Sequence, residues 1–222
     1  VVHFAAETHV TRSIFDNRNF FETDVIGTQT VANAVLENKN KIKKFIHIST
    51  SEVYGTAKNC KFMNEKHPLN PASPYAAAKV GADRLVYSYV NTYDIPAVIV
   101  RPFNNYGPKQ HLEKAIPRFI TSILLDESIM VHGQGHASRD WINVHDTCLG
   151  LDAILSAPIH QVQGEVFNLG TGRTISIKDI ALKVANAMKA DASNIIHIDD
   201  RPGQVDSHLA DTSKIESILN WK

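Results

Sequence analysis

No excess of charge marks this chain. Lys plus Arg and Asp plus Glu both count 23 in 222 residues, so the formal net charge is zero. A neutral chain offers no broad basic field for nucleic acid or an anionic membrane, although it can still hold a polyphosphate locally. No apolar run approaches the roughly 20 residues of a membrane span. Cysteine is scarce: Cys60 and Cys148 stand far apart with no C-x-x-C, a usage that suits a reducing cytoplasm. The 11 histidines are scattered without ligand spacing, so no metal site is expected. Internal repeats and low-complexity tracts are also lacking.

What is present is an alternation of short apolar runs with helical patterns. Val1 to Ala6 reads as a strand running into a small-residue turn, Ala5-Ala6-Glu7, where a ligand can approach the backbone closely. Phe20 to Leu36 has helical spacing. Lys39 to Lys44 reads as a solvated basic connection into a buried strand, Phe45–Ile48. Thr56 to Pro74, with three prolines, is a loop, and Ser73-Pro74 opens a helix to about Tyr93. Ala97–Val100 is the next strand. Strand–helix–strand spacing of this kind predicts βαβ units and a parallel sheet.

Beyond Asn104 the pieces shorten. A helix is expected over Ile116–Leu125, strands at Ile129–His132, Val166–Leu169 and Ile195–Ile198, and helices to Ala157 and Ala190 capped by Asp146 and Ser176. The expected division is residues 1–103 as the sheet domain and 104–222 as a smaller mixed domain. Residues 140–170 are expected to return a strand and helix to the first sheet.

Chemistry-bearing residues gather at the carboxyl ends of the strands, where open α/β sheets bind ligands. Ser49-Thr50-Ser51-Glu52 follows the strand at Phe45–Ile48. Tyr75 and Lys79 lie four apart on a helix, hence on one face. An ammonium there favours a phenolate and turns a group of ordinary pKa about 10 into a usable base. Thr50, Glu52, Tyr75 and Lys79 are thus a candidate acid–base cluster. The blander reading of Tyr75 and Lys79 as a surface pair loses weight beside the strand-end Thr-Ser-Glu.

Six motifs occur in order: H-F-A-A-E, S-T-S-E-V-Y-G, S-P-Y-x-x-x-K, R-P-F-N-N-Y-G-P, R-D-W-x-x-V-x-D and N-L-G-T-G. Together, over nearly the whole chain, they resemble the extended short-chain dehydrogenase/reductases, the NAD-dependent epimerase/dehydratase family. The resemblance implies an α/β fold: part of a Rossmann-type doubly wound parallel sheet, its first βαβαβ part missing, with a smaller mixed α/β substrate domain. It implies NAD as cofactor, a nucleotide-diphosphate sugar as substrate and a homodimer. Tyr75 would be the base toward a sugar hydroxyl, Lys79 would hold the nicotinamide ribose, and Thr50 would bond the same sugar oxygen. Ala5, Ala6, Glu7, Ser49, Pro102 and Asn104 would line the cofactor. Asn104, Asn105, Lys114 and Arg139 would contact substrate, with Arg139 on the diphosphate; its alternative is a structural pair with Asp140 or Asp146.

Departures matter as much. The family's G-x-x-G-x-x-G loop is not in the chain, so about 70 residues are expected upstream, and an apolar segment starts at Leu219-Asn220-Trp221-Lys222, so both ends are expected to be cut. Such a piece is expected to bind the cofactor poorly by itself. Asp24 stands where the family commonly has Asn. Glu52 after the hydroxyls suggests chemistry beyond hydride transfer, as in the 4,6-dehydratases, where a carboxylate takes the carbon 5 proton and water leaves carbon 6. The dTDP-glucose dehydratases use an Asp–Glu pair; Ser51 replaces the Asp here, which shifts proton delivery toward Glu52. Arg201-Pro202-Gly203-Gln204-Val205-Asp206 is similar to UDP-N-acetylglucosamine-type dehydratases. The expectation is a lyase, with UDP-glucuronate decarboxylase, a 4-epimerase or a non-catalytic sugar-nucleotide binder as alternatives.

Overall fold

A computed structural model describes residues 1–57, 62–200 and 202–222; Cys60 and Arg201, both used above, lie outside the described residues. The strands are β1 (Val2–His3), β2 (Phe45–Ile48), β3 (Ala97–Pro102), β4 (Asn104–Tyr106), β5 (Ile129–His132), β6 (Ser138–Asn143), β7 (Val166–Leu169), β8 (Thr174–Ser176) and β9 (Ile195–Ile198). The helices are α1 (Val10–Phe15), α2 (Arg18–Phe20), α3 (Gly27–Glu37), α4 (Pro74–Tyr93) and α5 (Ala115–Leu124). They continue with α6 (Val144–Ser156), α7 (Ile159–Val162), α8 (Ile177–Ala187) and α9 (Ser213–Leu219).

Four strands pair in the order β1-β2-β3-β7, all parallel, with Ile46 beside Val98 and Val100 beside Phe167. The continuous apolar runs follow from burial on both faces. Val98 and Val100 point to one side, where Ile46, Phe167, Ile142, Ile154 and Ile215 close the core. Ala97 and Ile99 point to the other, against Ala32 and Val35 of α3 and Val86 and Tyr89 of α4. A second lobe pairs β4-β6-β8 and β5-β9, and packs Phe119 of α5 and Ile180 of α8 onto Ile129 and Val131.

The helix expected over Phe20–Leu36 is helical from Arg18 to Glu37, but a π-helical turn, Phe21–Ile26, interrupts it between α2 and α3. Short β4, β8, α1, α7 and α9 carry no periodicity long enough to read from sequence. Two local expectations are corrected. The cap of α6 is Asn143, whose side chain accepts from the His145 amide, and Asp146 sits in the first turn instead. There its carboxylate still faces the positive end of the helix dipole.

Lys44, read as solvated, is buried. Its three ammonium donors are spent on three carbonyls at the end of α6: Ile154 (2.6 Å), Leu155 (2.9 Å) and Ala157 (2.6 Å). Burial lowers the Lys44 pKa, yet the three acceptors give its charge a place. The tie joins the segment before β2 to a helix more than 100 residues later. Lys44→Met should therefore cost about 2 kcal/mol in urea denaturation, the range of a charged hydrogen-bonded group removed from its acceptors. An unchanged midpoint would show that water serves those carbonyls equally well.

Candidate active site

The parallel strands β1, β2 and β3 end at one edge of the sheet, and α4 brings its amino-terminal turns there, with Lys79 bonded to the Ile48 carbonyl. Thr50 leaves β2 in an extended conformation, and its hydroxyl oxygen accepts the Glu52 amide at 3.2 Å, starting a 3-10 turn over Ser51–Tyr54. The turn ends at Gly55 with φ +66°, a left-handed conformation suited to glycine. A Cβ there would also overlap the Asn70 carbonyl of the proline-rich loop. This geometry aims Ser51 and Glu52 away from the strand axis.

Ser73 caps α4 by accepting from the Ala76 amide at 3.2 Å, with Pro74 at the first helical position as expected. The Tyr75 amide donates to Ser13 of α1 at 3.1 Å. Tyr75 and Lys79 are on one face and both buried, 7% and 3% exposed. Lys79 Nζ donates to the Ile48 carbonyl at 2.8 Å, which ties α4 to the end of β2. The structure departs from the expected acidified phenol. Burial pushes the Tyr75 pKa upward; hydrogen bonding with Thr50 opposes that, while the negative charges of Glu52 and Asp24 add to it. Lys79 is itself held below its ordinary pKa by burial, with Asp24 and Asp83 pulling it back up.

Facing Tyr75 across Glu52 is a group absent from the sequence reading. His208 is fully buried, its Nε2 lies 3.0 Å from the Gly55 carbonyl, and its Nδ1 lies 3.4 Å from Ser51 Oγ and 3.8 Å from Glu52 Oε1. Burial lowers its pKa to about 4, so the ring is neutral near pH 7. A carbonyl only accepts, so Nε2 carries the proton and Nδ1 accepts from the Ser51 hydroxyl. Ser51 is thereby a donor to His208 and a poor acid for anything else. Its partner stands 157 residues away, and no local pattern announces it.

Arg139 is 3% exposed, with Nε 3.9 Å from Glu52 Oε1 and Nη1 on the Ser138 carbonyl at 2.9 Å. Asp140 is otherwise engaged: its carboxylate accepts from the Thr171 and Gly172 amides at 2.8 Å each and from the Ala210 amide at 3.2 Å. That clamp docks the 170–172 loop and the 208–210 segment against β6. It is what brings His208 to Glu52.

The outlying candidates divide. The Glu7 amide donates to Asp24 Oδ1 at 2.8 Å and its carboxylate takes Arg12 at 2.6 Å; Ala5 is exposed and Ala6 half-buried beside it. Lys114 reaches the Thr8 carbonyl at 2.8 Å, so it stands over the same turn. Pro102 ends β3 and Asn104 begins β4, and both are half-buried. Asn105 is drawn away: its Oδ1 accepts from Thr147 of α6 at 2.5 Å and its Nδ2 donates to the Phe103 carbonyl. Ser49 turns inward and donates to Asp83 at 2.8 Å. Among the described residues no cluster of His, Cys, Asp and Glu could hold a metal ion.

Beneath the site, Asp83 of α4 and Arg101 of β3 form a buried two-point ion pair at 2.9 and 3.0 Å. Arg101 also donates to Tyr54 at 3.0 Å, and Tyr54 to Asn168 of β7 at 2.8 Å. Burial works against the Asp83 charge, but Arg101 and then Arg84 outweigh it and hold the carboxyl below its ordinary range. A depressed folded-state pKa means stabilisation that is complete above about pH 4 and lost as pH falls through the folded value. Asp83→Asn should cost about 3–5 kcal/mol near neutrality by leaving a buried guanidinium short of its partner. Its stability should also fall less than the wild type's between neutral and acid pH. A loss under about 1 kcal/mol in denaturant titrations would contradict this.

Comparison with known proteins places the fold in a family. The family model for GDP-mannose 4,6 dehydratase matches residues 1–222. A low-salt glycan biosynthesis protein of Haloferax volcanii is 41% identical over the whole chain, which covers 69% of that protein. A dTDP-glucose 4,6-dehydratase of Actinoplanes is 40% identical, with 68% of it covered. The crystal structure of a dTDP-glucose 4,6-dehydratase from Streptomyces venezuelae, solved with NAD bound, superposes with a TM-score of 0.94 at 36% identity. It is covered over 67% of its length, so the chain spans about two thirds of these relatives. A UDP-glucuronic acid 4-epimerase of Bacillus cereus superposes with a TM-score of 0.91 at 31% identity. The chain belongs to the GDP-mannose 4,6 dehydratase family of NAD-dependent sugar-nucleotide enzymes.

Proposed function

We propose that this chain carries the catalytic centre of an NAD-dependent nucleotide-sugar 4,6-dehydratase, a lyase that makes a 4-keto-6-deoxy sugar nucleotide. The observation that carries the reading is a carboxylate, Glu52, set between a buried Tyr75–Lys79 pair and a buried Arg139–His208 pair. Simple epimerisation at carbon 4 has no use for a carboxylate there.

The residues present fit the nicotinamide end of the cofactor. Lys79 is buried beside Tyr75 with one hydrogen bond, to a backbone carbonyl, and small residues Ala5 and Ala6 stand at the carboxyl end of β1. Glu7, Pro102 and Asn104 complete that side. NAD, when bound, accepts a hydride from the sugar and gives it back. Residues 1–103, with the strand and helix returned by 140–170, form the cofactor side, and the remainder of 104–222 the sugar-nucleotide side.

In this scheme Tyr75 takes the proton of the carbon 4 hydroxyl, with Thr50 bonding the same oxygen. The 4-keto group acidifies the carbon 5 hydrogen, and Glu52 removes it. The Ser51 hydroxyl is engaged in its hydrogen bond to neutral His208, so the proton that Glu52 took from carbon 5 is the one it hands to the hydroxyl leaving carbon 6 as water. Arg139 lies 3.9 Å from the Glu52 carboxylate, and its guanidinium is the group proposed to face the diphosphate. Lys114 is a further anion contact, whereas Asn105 serves through its backbone and its bond to Thr147.

A homodimer is part of the proposal. Phe21, Ile26 and Tyr87, on the π-helical turn and α4, keep 43%, 55% and 44% of their surfaces exposed. Apolar side chains so placed suit helix-on-helix pairing with a second copy. No described helix is long and apolar enough to cross a membrane, and the cytoplasm is the compartment proposed.

The test is the purified protein with NAD and a panel of dTDP-, GDP- and UDP-sugars, scored for a 4-keto-6-deoxy product by its absorbance in alkali. Glu52→Gln should lower the dehydration rate by about 100-fold or more, the usual worth of a general acid–base group, and leave nucleotide affinity within a few-fold. Release of carbon dioxide from UDP-glucuronate, or a 4-epimer without loss of water, would overturn the dehydratase reading.

A further inference from the structure

Asp24 has no part in the scheme above, yet it is 1% exposed and ionisable. One carboxylate oxygen accepts the Glu7 amide at 2.8 Å, and the other is buried without a hydrogen-bond partner. Among the described residues, the only other buried side-chain atoms in that condition are the two ring nitrogens of His47. Both residues feel the charge of Lys79. Among the described residues, the unmatched buried polar side-chain atoms thus belong to two groups that both feel the Lys79 charge.

The backbone is shaped to put Asp24 there. It lies in the π-helical turn Phe21–Ile26, a widened turn that re-aims side chains and recurs at functional sites. That turn packs on α4 at close range: a Cβ at Gly81 would stand 3.0 Å from Val25, and Phe20 meets the Tyr75 ring edge-on at 6.3 Å. Phe20 and Thr28, four residues to either side of Asp24, meet Tyr75 and His3 respectively, so Asp24 is on the face of its helix turned toward Tyr75 and the end of β1. Its action is through space, because the Lys79 hydrogen bond goes to Ile48.

Other charges around it are already matched. Asp83, the second carboxylate felt by Lys79, is held by Arg101, Arg84 and Ser49. Glu7, from the turn after β1, is paired with Arg12 of α1, and Glu22 on the same turn with Arg18. His3 of β1 bonds Thr28 and is kept neutral by burial and by Lys79. The Glu52 charge also raises the Tyr75 pKa. Asp24 is the carboxylate near Lys79 that no guanidinium or ammonium directly binds.

We propose that Asp24 is the buried counter-charge of the Tyr75–Lys79 pair and sets the pH range over which that pair works. It touches neither sugar nor cofactor in this role; it is a positioning residue that acts through the two side chains. An ionised Asp24 keeps buried Lys79 protonated to higher pH and keeps the proton on Tyr75 to higher pH. An amide at the same place does neither. The carboxyl itself, pushed up to about 6 by burial against the opposing pull of Lys79, changes charge near the physiological range. The inference rests on the dehydratase reading for its rate measurement only.

The experiment has two arms. In the first, pH–rate profiles for sugar dehydration are compared between the wild type and the near-isosteric Asp24→Asn. Both limbs should move to lower pH by about one unit or more, the effect of removing one charge at short range, with the melting temperature unchanged or raised. A profile that superposes on the wild type's, or differs only in height, overturns the proposal. In the second arm, the Asp24 carboxyl carbon is titrated by NMR in the protein without substrate. Its midpoint should lie near 6 and rise in Lys79→Met, with Tyr75→Phe as the folded control in which it does not rise. A midpoint in the ordinary Asp range, or one unmoved by Lys79→Met, likewise overturns it. If no nucleotide sugar is dehydrated at all, the functional reading falls and the second arm still decides the role of Asp24.

Discussion

The buried pair between Asp83 and Arg101 is the constraint on which the site depends. Asp83 is four residues beyond Lys79 on α4, and Arg101 is on β3, so the two-point contact at 2.9 and 3.0 Å sets the helix against the sheet in depth and in register. Ser49, at the end of β2, joins the same carboxylate at 2.8 Å. Charges removed from water are costly unless matched closely, and a guanidinium–carboxylate fork is the geometry that matches them best. With the register of α4 settled, Tyr75 and Lys79 have little freedom relative to Thr50 and Ile48. From Arg101 the network continues through Tyr54 to Asn168, whose amide donates to Met63 and Asp211, so it reaches β7 and the carboxyl-terminal segment as well.

A second carboxylate organises the opposite wall. Asp140 takes amides from Thr171, Gly172 and Ala210, and the last of these places His208 under the 3-10 turn. The consequence is chemical. A neutral ring whose Nε2–H donates to the Gly55 carbonyl accepts the Ser51 hydroxyl at Nδ1, which leaves Glu52 as the acidic group of that turn.

Much of the architecture is legible without coordinates. Phe45–Ile48, Ile129–His132, Val166–Leu169 and Ile195–Ile198 are strands with the bounds their apolar runs predict, and Ser73 and Ser176 cap the helices they precede. Tyr75 and Lys79 share a face because helix geometry is local. Lys44 and the α6 cap were misread for the complementary reason. A lysine in a basic run looks solvated until a helix end arrives over it, and two carboxamide or carboxylate groups near one helix start compete on geometry alone.

Sequence by itself determined the alternation of strands and helices, the strand-end hydroxyls with Glu52, and the Tyr75–Lys79 spacing, since each depends on neighbours a few residues apart. Tertiary structure alone decided the rest. It buried Tyr75 deeply enough that its phenol pKa rises instead of falling, and turned Asn105 and Ser49 inward. It also set His208 against Ser51 across 157 residues and left one oxygen of Asp24 unmatched beside a buried ammonium. Burial and electrostatics are properties of what surrounds a group in space, and the groups that surround these come from distant parts of the chain.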